Sequence, residues 1–127
     1  MRAAGPVPLA WRRADATAQT AAIEVYPAGT LRADGLDVGG YARGRNAPTL
    51  RRRVAEHIGR YLDLGAFRTD LLENEHVLDA AVCVLAAIDF LTGRCIVPPD
   101  DPRIRVEGWI WVRRPDSPPA SYRSLYG

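Results

Sequence analysis

The sequence predicts an α/β domain, mostly helical with a small sheet. Three observations carry this expectation. Leu50, Val54, Ile58 and Leu62 recur every four residues, the spacing of one helix face. The run VLDAAVCVLAAIDFL from Val77 is apolar on nearly every side, the pattern of a buried helix. Two further runs, AAIEVY (21–26) and IRVEGWIWV (104–112), read as strands.

Taken in order, Gly5, Pro6 and Pro8 break any early element, and Trp11 to Thr20 supports at most a short helix. AAIEVY reads as a short buried strand. It is closed by Pro27, whose missing N–H suits a strand exit or the first turn of a helix. One or two helical turns are expected over 28–34, then a loop at Gly35, Gly39 and Gly40. Asn46 and Pro48 open the helix of period four, and Gly65 closes it. Its other face carries Arg51, Arg52 and Glu56. A polar connection over 68–75 leads into the buried helix, about Val77 to Thr92, ended by Gly93. Beyond the PPDDP turn, Ile104, Val106, Ile110 and Val112 would share one strand face, with Glu107, Trp109 and Trp111 on the other. Residues 113–127 are Pro- and Ser-rich and are expected to be disordered.

The bulk properties narrow the function classes. A chain of 127 residues has room for one domain. All 17 basic side chains are Arg, and a formal charge of +2 is too small to mark a nucleic-acid binder by itself. Arg51, Arg52 and Arg53 nevertheless form a compact cluster. Such a run either binds phosphate or is the solvated face of a helix. Cys83 and Cys95 make no disulfide framework, which predicts a reducing, cytoplasmic setting. No stretch has the length of a membrane span. The N-terminus, with Arg2, lacks the apolar core of a secretion signal. Cys83, Cys95, His57 and His76 have no CxxC pair and no finger-type spacing for zinc.

Asp79 is the residue that asks for an explanation, because a carboxylate on a core helix needs a partner or a metal. Glu24, inside AAIEVY, has the same character. Two carboxylates on core elements point to metal-dependent chemistry. The competing reading makes Asp79 a first-turn residue favoured by the helix dipole and Glu24 a solvent-facing strand residue. Trp109 would either stack on bases or pack over the sheet.

Together IEVYPAGTLRADGL (23–36), LDAAVCVLAA (78–87) and CIVPPDDPRIRVEGWIWV (95–112) resemble the C-terminal half of a known family. It is the domain-of-unknown-function family four-two-nine, a family of predicted RNase H-like nucleases. The resemblance covers residues 22–112 and leaves 1–21 unmatched. It implies a partial RNase H-like fold with the first strands missing, Mg²⁺ or Mn²⁺ as cofactor, and nucleic acid as partner. By the same resemblance Glu24 and Asp79 would be metal-binding catalytic carboxylates on a strand and a late helix. Glu107 would be the acidic residue of the closing motif. Hydrolysis of this kind uses two divalent ions about 4 Å apart, and the first-strand aspartate that bridges them has no counterpart here. The chain is therefore expected to be a catalytically incomplete half-domain. Its uncovered apolar surface would favour self-association or docking of a missing N-terminal half. The alternative is a non-catalytic module that binds nucleic acid or protein through the arginine helix and the tryptophan strand.

Overall fold

In the computed structural model, which describes residues 5–37 and 39–126, about half the chain is helical and extended segments meet only at isolated bridges. Arg2 and the rest of the first four residues lie outside the described part. The helices are α1 (Arg13–Ala18), α2 (Pro27–Ala33), α3 (Ala47–Ile58), α4 (Arg68–Glu73), α5 (Glu75–Leu91) and the single turn α6 (Ile104–Glu107). No described helix is long and apolar enough to cross a membrane.

α5 is the axis of the molecule, and α1 to α4 all touch it. Asn74 starts it, its side-chain oxygen accepting from the His76 N–H at 2.9 Å. Gly93, at φ 72°, turns the chain away after its end, a left-handed conformation that favours glycine. Leu78, Val82 and Leu85 on α5 pack with Leu31, Val54, Ile58, Leu71 and Tyr41 in the main core. Each fully buried aliphatic side chain contributes about 1.5–3 kcal/mol. Beneath the other end of α5 a smaller cluster holds Ala10, Phe90, Cys95 and Trp111. There Phe90 and Trp111 meet edge to face, ring centroids 4.7 Å apart. α5 is not buried all round, for Ala80 and Val84 are exposed.

The expected small sheet, and with it the partial RNase H-like α/β fold, is not what forms. Four extended stretches lie side by side but touch at one residue pair each: Leu9 with Ala22, Glu24 with Ile110, and Cys95 with Arg113. Pro8 offers no N–H and Pro27 begins α2, so the AAIEVY stretch is too short for a ladder. Trp111 N–H donates to the Glu24 carbonyl at 2.9 Å, and no longer run of pairs follows among the described residues.

IRVEGWIWV is likewise not one strand. Asp101 caps the turn before it, its Oδ1 accepting from the Arg103 N–H at 2.9 Å, and residues Ile104–Glu107 coil into α6. Gly108 then adopts φ 92°, which ends the turn and breaks the alternation that predicted a continuous strand. Val106 stays 88% exposed as a result. α3 stops at Ile58 rather than near Leu64. Past Gly59 tighter contacts enter, Arg60 N–H to the His57 carbonyl and Tyr61 N–H to the Ile58 carbonyl, which also takes the Leu62 N–H.

Residues 113–126, expected to be disordered, lie against the helices. Arg113 and Ala120 are buried. Tyr122 N–H donates to the Tyr61 carbonyl at 3.2 Å, and Arg94 Nη1 donates to the Pro118 carbonyl at 2.6 Å.

Candidate functional site

Glu24 is exposed rather than buried. Its carboxylate reaches across to the loop after α6, where Oε2 accepts from the Trp109 N–H at 3.2 Å. A Cβ at Gly108 would collide with that same oxygen. The φ requires the glycine, and a larger residue would also push aside the Glu24 carboxylate lying against it. The two motifs IEVYP and EGW thus meet in space, joined by an acid and a backbone. Glu107, beside them, is exposed and bonds to nothing through its side chain among the described residues.

Asp79 sits one turn into α5, half-buried. Its Oδ1 accepts from the Tyr41 hydroxyl at 2.5 Å. Burial first, and then the Asp79 carboxylate, push the Tyr41 phenol well above its ordinary pKa, so it stays a donor. Burial, with Asp79 nearby, also raises the Cys83 thiol. Arg51 braces the same region: Nε donates to the Leu72 carbonyl at 2.8 Å and Nη1 to the Tyr41 carbonyl at 3.1 Å. His76, which shares a helix face with Asp79, is solvent-exposed and lies 4.0 Å from Glu75 instead.

Neither Glu24 nor Asp79 bonds to the other. Among the described residues no group of three or more His, Cys, Asp or Glu side chains is placed to hold a metal. Two-ion chemistry needs oxygen donors converging on one point, and these carboxylates instead satisfy a backbone N–H and a phenol. The residues present do not fit a divalent-ion centre. Of the proposed nucleic-acid contacts, Arg52 and Arg53 are exposed. Arg51 is committed to two carbonyls. Trp109 is half-buried, with Nε1 donating to the Ile96 carbonyl at 3.2 Å.

The most tightly built polar cluster was not singled out from the sequence. It joins Asp34 after α2, His57 on α3, Asp89 on α5 and Arg113. Asp34 is 4% exposed at its side chain; Oδ2 lies 2.6 Å from His57 Nε2 and Oδ1 accepts from Arg113 Nη2. Burial alone would raise the Asp34 pKa. The hydrogen bonds from His57 and Arg113 outweigh it and hold the carboxyl below its ordinary value. An ionised carboxylate only accepts, so the His57 Nε2 carries the hydrogen. Arg113 Nη1 donates to the Ser117 carbonyl and Nη2 also to Ala33 at 3.1 Å. Its Nε lies 3.5 Å from Asp89 Oδ2.

Asp89 is the weakly served member. Burial lifts its pKa to about 6, with Arg113 opposing and Asp34 adding to the rise. Among the described residues its Oδ1, the Arg113 Nε and the Thr30 hydroxyl have no hydrogen-bond partner. Asp89 also helps burial push the neighbouring Cys95 thiol up to about 12. The sequence held a clue: AAIDFL places an aspartate among apolar residues deeper in the same helix than Asp79. Arg113 had no such clue inside a Pro-rich tail.

No curated protein and no solved structure matches the chain. Residues 8–104 match the family described as "Protein of unknown function (DUF429)". That match takes in α1 and most of the chain, and the protein is a member of this family.

Proposed function

We propose that this chain, by itself, engages nucleic acid without hydrolysing it, as a catalytically incomplete nuclease-type member of its family. The observation that carries this reading is the separate engagement of Glu24 and Asp79. Metal-dependent phosphodiester hydrolysis needs carboxylates shared between ions about 4 Å apart. Here Glu24 serves the Trp109 N–H and Asp79 the Tyr41 hydroxyl. Either acid alone offers too few oxygens for an ion that prefers six. Exposed Arg52 and Arg53 on α3 supply charge for phosphate contacts.

The test is incubation of the full chain with single- and double-stranded DNA and RNA in Mg²⁺ or Mn²⁺. Cleavage no faster than that of Asp79→Asn is the expected result. Robust cleavage lost in Asp79→Asn and in Glu24→Gln would overturn the reading. It would mean that the two carboxylates do converge in solution.

A further inference from the structure

We propose that the cleft between the end of α3 and the C-terminal turn is a binding site for single-stranded nucleic acid, taking a phosphate on its arginines and a base on its tyrosines. The cleft has a volume of about 630 Å³, within the range of ligand sites, which runs from about 300 to 1,000 Å³. One wall is the turn after α3, with Arg60, Tyr61 and Asp63, continuing to Arg68 at the start of α4. The other is the turn Tyr122–Leu125, with Tyr122 and Arg123.

Charge selects the ligand class. Three guanidiniums face one carboxylate, and Asp63 is already engaged, its Oδ1 accepting from the Gly65 N–H at 3.0 Å. Among the described residues Arg60 and Arg68 pair with no acid. Arg123 leans over its neighbour Tyr122 at 5.9 Å from the ring centroid, and its Nε donates to the Tyr122 hydroxyl at 3.5 Å, both contacts at the outer limit of their kind. Guanidinium forks match phosphate oxygens two at a time. Aromatic faces accept any base, which is how single strands are held without sequence preference.

The walls are also set in place. Tyr122 N–H is tied to the Tyr61 carbonyl at 3.2 Å. The Tyr61 ring stands 5.2 Å from His57, which is fixed in turn by Asp34. The Tyr61 wall thus rests on the buried charge cluster through His57, so the aromatic part of the cleft is preorganised. This inference rests on the proposed engagement of nucleic acid, and not on whether the chain cleaves it.

Fluorescence anisotropy with a labelled single-stranded oligonucleotide, in EDTA so that no hydrolysis intervenes, tests the site on the full chain. Arg60→Glu and Arg68→Glu should each weaken binding by about tenfold or more, because each removes a phosphate contact and adds a repulsion. Tyr122→Ala should also cost about tenfold, the value of one stacked base. Arg43→Glu, an exposed residue outside the cleft, should leave affinity within about twofold. Circular dichroism confirms that each variant folds, and Arg60→Gln serves where the reversal does not. Inorganic phosphate should compete weakly, and a mononucleotide better. Equal losses for Arg43→Glu and the cleft variants would overturn the proposal, as would duplex binding as tight as single-strand binding. Absence of any binding would overturn it too.

Discussion

Arg113 donates to Asp34 across 79 residues of chain, and both side chains are 4% exposed. This pair ties the last bridge, where Arg113 meets Cys95, to the turn after α2. With His57 and Asp89 it makes a four-membered buried ionic cluster against the central helix. Buried ion pairs contribute little to net stability compared with apolar packing, but breaking one is costly because a charge is left stranded.

Asp34→Ala should therefore destabilise the fold by about 3 kcal/mol, since it removes the nearer acid from Arg113, leaving Asp89 at 3.5 Å, and leaves the His57 N–H without an acceptor. Chemical denaturation checks this. A midpoint equal to wild type would mean that water or another group replaces the carboxylate.

The Gly108–Glu24 contact predicts an unusual pair of effects. Gly108→Ala should cost about 1–3 kcal/mol, from the strained positive φ and from the collision with the Glu24 carboxylate. Adding Glu24→Ala should recover part of that loss, the collision but not the dihedral strain. A double-mutant cycle measures the coupling. Strict additivity would show that the Glu24 carboxylate swings clear of the new methyl group and that the cost lies in the dihedral alone.

Asp89 sets a pH dependence whose sign follows from its raised pKa. In the unfolded chain it ionises near its ordinary value of about 4, whereas in the folded protein it holds its proton up to about 6. Its contribution is thus fully present below about pH 4 and is lost as pH rises through about 6. Asp34, held below its ordinary value, acts in the opposite sense: its contribution is lost as pH falls below its ordinary range. The melting temperature of wild type relative to Asp89→Asn should decline between about pH 4 and 6 and level off above. A difference flat across that window would contradict the shift.

The two thiols should react unequally. Cys95 is buried, with its pKa pushed up to about 12, while Cys83 is half-exposed with its pKa also raised by burial. A neutral alkylating reagent should label Cys83 under native conditions and reach Cys95 only on unfolding. Mass spectrometry of the labelled peptides decides it, and equal labelling would point to opening of the second core cluster.

Periodicity made α3 and α5 legible in the sequence, because a helix that buries one face must repeat along it. The sheet was not legible for the converse reason. AAIEVY and IRVEGWIWV carry strand composition, yet pairing depends on neighbours, and Pro8, Pro27 and Gly108 cut each run short. Asp79 stands out in the sequence through its position at the head of the helix, although Asp89, deeper in the same helix, is the more buried. Glu24 was expected to be buried. Its partner is a backbone amide 85 residues away, which no local pattern encodes.

The span matched by the family ends at residue 104, but Trp111, Arg113 and Ala120 are all buried. A fragment cut at the family boundary would lose the aromatic partner of Phe90 and the guanidinium that answers Asp34 and Asp89. Its second core cluster would stand open, and two acids would be left facing each other with no cation between them. The stretch richest in proline and serine, where a protease or an engineer would look first for a dispensable end, is a keystone of the unit.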